Sequence, residues 1–230
     1  MKEHIVASLA AAAAATLLLA ACGNKVAKNS EVINSSTDAS AASEENTEAG
    51  SYAPLATVRE RNIISAEDFD YEIYDGGVII TRYKGKDTEV EIPGEIEGSP
   101  VIEIGFYAFE ANYGLTSVTL PETVKVIGEA AFADCQSLVS INLPSGLTEI
   151  ECGAFAGCSA LPELTVPAQV TRIQKQAFTA CTGMRSLTIL SPELKYENWG
   201  LEELPDLTVY APEGSAAAEW AGAMGKYAVY

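Results

Sequence analysis

Apolar positions recur along the middle of the chain with a spacing far longer than a helical turn or a strand pleat. The series Leu115, Val118, Leu120, Val124, Ile127, Ala131, Phe132 and Cys135 returns 23 residues later as Leu138, Ile141, Leu143, Leu147, Ile150, Ala154, Phe155 and Cys158. It returns again as Leu161, Leu164, Val166, Val170, Ile173, Ala177, Phe178 and Cys181. Segments 115–137, 138–160 and 161–183 are therefore equal in length, 184–206 keeps the length with a degenerate second half, and 88–114 is a looser upstream copy. In each copy LxxVxLP alternates like a half-buried strand and is closed by a proline, which cannot donate to a central ladder. Val124 to Ile127 reads as a second short extended piece, and Gly128 to Cys135 as a compact turn of small residues around one Phe.

Such a unit cannot stand alone. Eight inward side chains at about 1.5–3 kcal/mol each contribute roughly 12–24 kcal/mol, whereas ordering about 23 residues costs about 1–2 kcal/mol apiece. Each copy needs neighbours on both sides to complete its burial and its backbone hydrogen bonds, which is the logic of a solenoid. The ends read as caps. Phe69, Tyr71, Ile73 and then Val78, Ile79, Ile80 flank Asp75-Gly76-Gly77, a hairpin signal that places the first three inward and covers the open edge of the first coil. Leu207 to Tyr210 reads as a last strand, and 212–224 as a short helix with Ala217, Trp220 and Ala221 on the face that lids the last coil.

The AFxxC signature, as in Ala131-Phe132 to Cys135, on a 23-residue period resembles the BspA-type leucine-rich repeats of bacterial and protist surfaces, over roughly residues 67–230. The resemblance implies a right-handed leucine-rich-repeat solenoid of the α/β class, strand-rich, with an N-terminal β-hairpin cap and a short C-terminal capping helix. The repeat domain is then 58–230, divided into an N-cap at 67–87, repeats at 88–206 and a C-cap at 207–230. Asn112, Cys135, Cys158 and Cys181 share one slot, which the resemblance makes an inward structural ladder. It further implies protein or glycan recognition, in adhesion or host contact; the alternative is a structural or display lipoprotein of the envelope with no dedicated ligand.

The chain start adds an address. Residues 1–21 run from a weakly basic Met1-Lys2 into an alanine-rich apolar stretch with the pattern of a secretory signal, though an uncleaved anchor stays open. Leu19-Ala20-Ala21-Cys22 resembles a bacterial lipobox, making Cys22 the lipidation site and the membrane a partner through that anchor. Two or more acyl chains suffice for durable attachment. Residues 22–57 then form the lipidated Cys22 and a disordered tether rich in Ser, Ala, Asn, Thr and Glu. The expected location is outside the cell, lipid-anchored to the outer face of the bacterial membrane or to the cell surface, with the protein monomeric.

Charge and chemistry narrow the function further. A formal charge of −18 leaves no basic stripe to displace counterions, so no nucleic acid partner is expected. The one histidine is His4, in the signal segment, so the mature chain lacks the base of the common hydrolase triads and the histidine of many zinc sites. No CxxC pair occurs, and the acidic run Asp68-Phe69-Asp70-Tyr71-Glu72 puts Ile73 where a calcium loop needs glycine. Gly76-Gly77 lacks the strand-to-helix setting of a phosphate loop. No catalytic residue, metal or cofactor is expected, and the chain is read as not an enzyme. Cys152 lies outside the ladder slot, and a disulfide or a metal site there stays open.

One surface has regular geometry: the outward side of the first strands, expected to be concave. Alternation puts Glu89, Glu91, Ser117, Thr119, Ser140, Asn142, Glu163, Thr165, Ser186, Thr188, Thr208 and Tyr210 on it. All but the flanking Glu89 and Thr208 are the candidate binding residues. Six strands at about 4.8 Å spacing give this face roughly 400–500 Å², against roughly 800 Å² per partner in a standard interface.

Overall fold

The computed structural model describes residues 66–74 and 76–228. The expected signal peptide, Cys22, the tether and the first residues of the repeat domain lie outside the described residues. An N-terminal hairpin, β1 (Phe69–Tyr74) and β2 (Gly77–Tyr83), is followed by β3 (Glu89–Glu91), β4 (Glu95–Ile96), β5 (Ser99–Ile104), β6 (Ser117–Thr119) and β7 (Val126–Ile127). Then come β8 (Ser140–Ile141), β9 (Glu149–Ile150), β10 (Glu163–Val166), β11 (Arg172–Ile173), β12 (Ser186–Ile189) and β13 (Lys195–Tyr196). The chain closes with β14 (Thr208–Tyr210), the helix α1 (Ala216–Ala223) and β15 (Tyr227–Ala228).

Three stacks of hydrogen bonds hold the coils together. The second strands run β2-β5-β7-β9-β11-β13 in one parallel ladder, entered by the antiparallel hairpin partner β1. The first strands form two separate sheets, β3-β6-β8 and β10-β12-β14-β15. The compact turns make the third stack: Phe109 N–H donates to Ala131 O at 2.8 Å, Phe132 N–H to Ala154 O at 2.8 Å and Phe155 N–H to Ala177 O at 2.9 Å. Two residues per turn adopt left-handed backbone at the repeat period, Tyr107, Ala130, Gly153 and Gln176 at one slot and Ala111, Asp134, Gly157 and Ala180 at the other. These reversals aim successive N–H groups along the stacking axis.

The core is the inward ring of each coil. Of the 24 repeat positions in the three regular copies, all are buried except Ile141 and Leu143, which are half-buried. Phe109, Phe132, Phe155 and Phe178 stack with ring centroids 5.0, 5.6 and 5.9 Å apart, and Tyr83 of the hairpin extends the column at 5.2 Å from Phe109. Beside it, Cys135 Sγ donates to Phe109 O at 3.2 Å, Cys158 Sγ to Phe132 O at 3.2 Å and Cys181 Sγ to Phe155 O at 3.1 Å. A thiol fits here because it is small enough for the interior and adds a second donor to a carbonyl that already accepts one N–H within its own turn, from Asn112, Cys135 and Cys158 respectively.

Both ends differ in detail from the sequence expectation. Phe69 is buried and Tyr71 half-buried, but Ile73 is 47% exposed. A register shift between Asp70 and Tyr71 lies before the hairpin tip, and Ile73 and Tyr74 at that tip are left in solvent. Gly77 is required on the other arm, since a Cβ there would sit 2.4 Å from Pro100 O and 2.7 Å from an Ile102 methyl on β5. The C-terminal helix starts later than the apolar pattern suggests. Residues 212–215 form a turn with Gly214 at φ +76°, and Ser215 Oγ then accepts from Ala218 N–H at 3.2 Å as the N-cap. Ala217 and Ala221 are buried and Trp220 is half-buried, packing edge-on against Trp199 at 5.0 Å.

Candidate functional site

The first strands set the candidate residues in register. Glu89, Ser117 and Ser140 form one row and Glu91 and Thr119 a second on the N-terminal sheet. On the C-terminal sheet the rows are Glu163, Ser186, Thr208 and Thr165, Thr188, Tyr210. Glu91, Thr119, Ser140, Glu163 and Thr165 are exposed, while Ser117, Ser186, Thr188 and Tyr210 are half-buried. Asn142 does something else with its polar atoms. Its Oδ1 accepts from Leu120 N–H at 2.7 Å and its Nδ2 donates to Leu120 O at 2.9 Å, so the amide replaces a strand neighbour for Leu120. Asn142 is exposed on the same face, with its amide engaged by Leu120.

The face is also not one continuous sheet, because the ladder breaks between β8 and β10. At the equivalent junctions Thr116 O accepts from Val139 and Ser140 N–H, and Pro162 O accepts from Arg185 and Ser186 N–H. Between β8 and β10 the donor position is Pro162, which has no N–H. Glu163 N–H, at the second donor position, makes no bond to Val139 O either, so that carbonyl has no donor among the described residues. β8 stops after Ile141, and a hollow of about 520 Å³ lies along the seam, lined among others by Val139, Ile141, Leu143, Glu163 and Leu190. That opening explains why Ile141 and Leu143 alone among their equivalents are incompletely buried.

A second hollow of about 460 Å³ lies at the first turn, where Arg82, Tyr83, Phe106, Tyr107, Glu110 and Asn112 meet. Phe106 and the nearby Tyr113 are each 57% exposed, and Phe106 packs edge-on against Tyr107. Sequence reasoning passed over these aromatics. The available signal was register: they stand where the next copy has Glu129, Ala130 and Gln136.

On the second-strand ladder the register is Glu103, Val126, Glu149, Arg172, Lys195. Arg172 pairs with Glu149 at 3.5 Å and with Glu197 at 3.2 Å. Burial, then the neighbouring Glu151 and Glu149 carboxylates, push the Glu103 carboxyl above its ordinary range. A raised carboxyl favours the neutral form in the folded state, so its stabilising contribution is present at low pH and lost as pH rises through the folded value. Glu103→Gln should thus raise stability at pH 7 by under about 1 kcal/mol, since the half-exposed site is screened, with no gain at pH 3.5. Urea unfolding at the two pH values reads the difference; an equal gain at both would refute the electrostatic origin.

The cysteines divide by role. Cys135, Cys158 and Cys181 are free thiols in the ladder, and Asn112 in the same slot is half-buried at the first hollow. Cys152 is buried and disulfide-bonded. Among the described residues no group of three or more His, Cys, Asp or Glu side chains is placed to hold a metal ion.

Stacked 23-residue coils, a phenylalanine column and a thiol ladder under two caps define a capped leucine-rich-repeat scaffold. The BspA type leucine rich repeat region matches in six copies over residues 102–200. A leucine rich repeat protein of T. pallidum is 33% identical, covering 64% of this chain and 71% of that one, with a TM-score of 0.60. One from Bacteroides capillosus, also 33% identical, covers 65% of this chain and 97% of that one at a TM-score of 0.47. The pneumococcal vaccine antigen PcpA, 22% identical over 70% of this chain and 46% of that one, shares the fold at a TM-score of 0.50. No curated protein matches the chain. The chain belongs to the BspA-type leucine-rich-repeat family.

Proposed function

We propose that this protein is a surface lipoprotein whose leucine-rich-repeat scaffold recognises an extracellular macromolecule, in adhesion or host contact, through the face of its first strands. The observation that carries the reading is the pair of in-register polar rows on β10, β12 and β14, ending on Tyr210. They form an array held in register by the strand ladder, the arrangement that favours preorganised contact. The lipobox-like Leu19-Ala20-Ala21-Cys22 supports anchoring at Cys22. A face of this size binds weakly as a single copy, and many anchored copies raise the avidity.

The test is direct. Full-length chain in detergent is presented to immobilised extracellular-matrix proteins and glycans, beside a variant with Glu163, Thr165 and Tyr210 changed to alanine. A ligand that binds the parent and loses about tenfold or more on the variant, or about 1.4 kcal/mol, supports the face. Binding indifferent to the substitutions, or none across the panel, returns the protein to the display reading. Lipidation is checked separately by labelling with an alkynyl fatty acid, which Cys22→Ala should abolish.

A further inference from the structure

Among the described residues, the seam between β8 and β10 leaves the interior of the solenoid incompletely closed on this face. Four aliphatic side chains reach it: Val139, 50% exposed, Leu190, 43% exposed, and the half-buried Ile141 and Leu143. Glu122 and Glu163 also line it. The Glu122 carboxylate is fixed in place, accepting from Ser145 N–H at 3.1 Å and Ser145 Oγ–H at 2.8 Å. Neither lysine nor arginine lines the hollow. Between Lys86 and Arg172 the chain has one cationic residue, Lys125, against thirteen Asp and Glu, so this part of the surface attracts positive charge over the range of a Debye length. The main chain contributes as well, since Val139 O lacks the N–H donors that its counterparts have.

We propose that this seam is the binding groove for an extended cationic peptide segment, with an aliphatic side chain between flanking Lys or Arg residues. The proposal rests on the recognition reading above and narrows it to one ligand chemistry. The aliphatic side chain fills the gap over Ile141 and Leu143, the flanking cations meet Glu122 and Glu163, and a ligand main-chain N–H donates to Val139 O. Sugar ligands fit this groove poorly, because no aromatic ring lines it to stack on a pyranose. Pro162 is then a specificity element: by removing one N–H it keeps the ladder open where a ligand strand can reach the backbone.

Isothermal titration of the full-length chain in detergent tests this with four capped peptides: Lys-Leu-Lys-Leu-Lys, Glu-Leu-Glu-Leu-Glu, Lys-Gly-Lys-Gly-Lys, and the first with its central amide N-methylated. The first should bind at least about tenfold more tightly than each of the other three. Val139→Lys, at a half-exposed position that the fold does not need, should abolish that preference. Pro162→Ala, which restores a ladder donor, should weaken binding several-fold with Tm shifted by no more than about 4 °C. Equal affinity for both lysine peptides, or insensitivity to Val139→Lys, overturns the proposal, because the attraction is then bulk charge. Absence of binding to all four up to millimolar concentration overturns it too. Failure here is separable from failure of the face: a matrix ligand lost on Tyr210→Ala but untouched by Val139→Lys leaves the face and removes the groove.

Discussion

Phe155→Ala should lower the stability of the repeat domain by about 3–5 kcal/mol, the range for deleting a buried phenylalanine. The high end is expected because the site cannot collapse. Phe155 is fully buried, and its ring lies nearly parallel to those of Phe132 and Phe178, at interplanar angles of 6° and 9°. The coils above and below are held at their spacing by the turn bonds Phe132 N–H to Ala154 O and Phe155 N–H to Ala177 O. A neighbouring ring that moved to fill the void would break those bonds. Against a typical total of about 5–15 kcal/mol, the loss is a large fraction, and it falls where an N-terminal and a C-terminal set of coils are joined. In a quasi-one-dimensional stack, weakening a central contact uncouples its flanks. Both tryptophans, Trp199 and Trp220, lie in the C-terminal coil and cap, so their fluorescence follows that end alone while far-UV circular dichroism follows the whole. Urea transitions that coincide by the two probes in the parent should separate in the variant. A cost below about 1 kcal/mol would show that the column is not what holds the coils together.

The repeat was legible because its signal is redundant. The same eight positions are apolar in three equal copies, and a shift of one residue would turn the strand residues outward. The hairpin and helix caps were legible for a related reason, since each puts a recognisable turn or cap chemistry beside an apolar face. Their limits were less so. Ile73 follows the alternation of Phe69 and Tyr71, yet a register irregularity and the reach of the hairpin beyond the coil leave it in solvent. Nothing in the local pattern marks where a packing partner ends. Helix α1 was placed three residues early relative to its Ser215 cap, because Pro212 is as compatible with a first helical turn as with the turn that precedes it.

The candidate face was legible only as a list of outward residues. Its interruption falls at Pro162, which lacks the N–H carried by the residues in the same slot of other coils, Thr116, Val139 and Arg185. Proline in LPELTV looks unremarkable until the register across copies is laid out. The consequence is remote from the cause. Ile141 and Leu143, one coil earlier, match the apolar pattern and are nevertheless half-buried. Alternation places Asn142 outward, where it is exposed; its amide turns back to Leu120 because β8 has already ended. These departures cluster at one junction, where local rules and the repeat disagree, and such disagreements are where function is sought.

The thiol ladder leads to the largest kinetic effect. Burial pushes the Cys135 and Cys181 thiols from an ordinary 9.0 up to about 12, and that of Cys158 well above its ordinary value. The nucleophile in thiol exchange is the thiolate, so at pH 8 its population in Cys135 and Cys181 is about a thousandfold below that of an ordinary cysteine. Each sulfur is also inaccessible, at 0% exposure. Native protein should therefore leave these three thiols unreacted with an aromatic disulfide reagent over hours, and all three should react together once urea unfolds the stack. Labelling of any one of them ahead of unfolding would show that the ladder opens locally. The same shift sets an alkaline limit. A thiol with a raised folded value stabilises fully below its unfolded value near 9 and loses that contribution as pH climbs toward the folded value. Three such groups give a slope of up to about 4 kcal/mol per pH unit, enough to exhaust a stability of about 5–15 kcal/mol within a few units. Tyr83, Tyr107 and Tyr196, whose hydroxyls are also raised by burial, act in the same direction. Cooperative unfolding between about pH 10 and 12 is the expected result. Cys158→Ala should lower neutral stability by about 0.5–1.5 kcal/mol, because Phe132 O loses the second of its two donors and keeps Cys135 N–H. It should also flatten the alkaline limb by about one proton; an unchanged slope would mean that the ladder thiols do not set it.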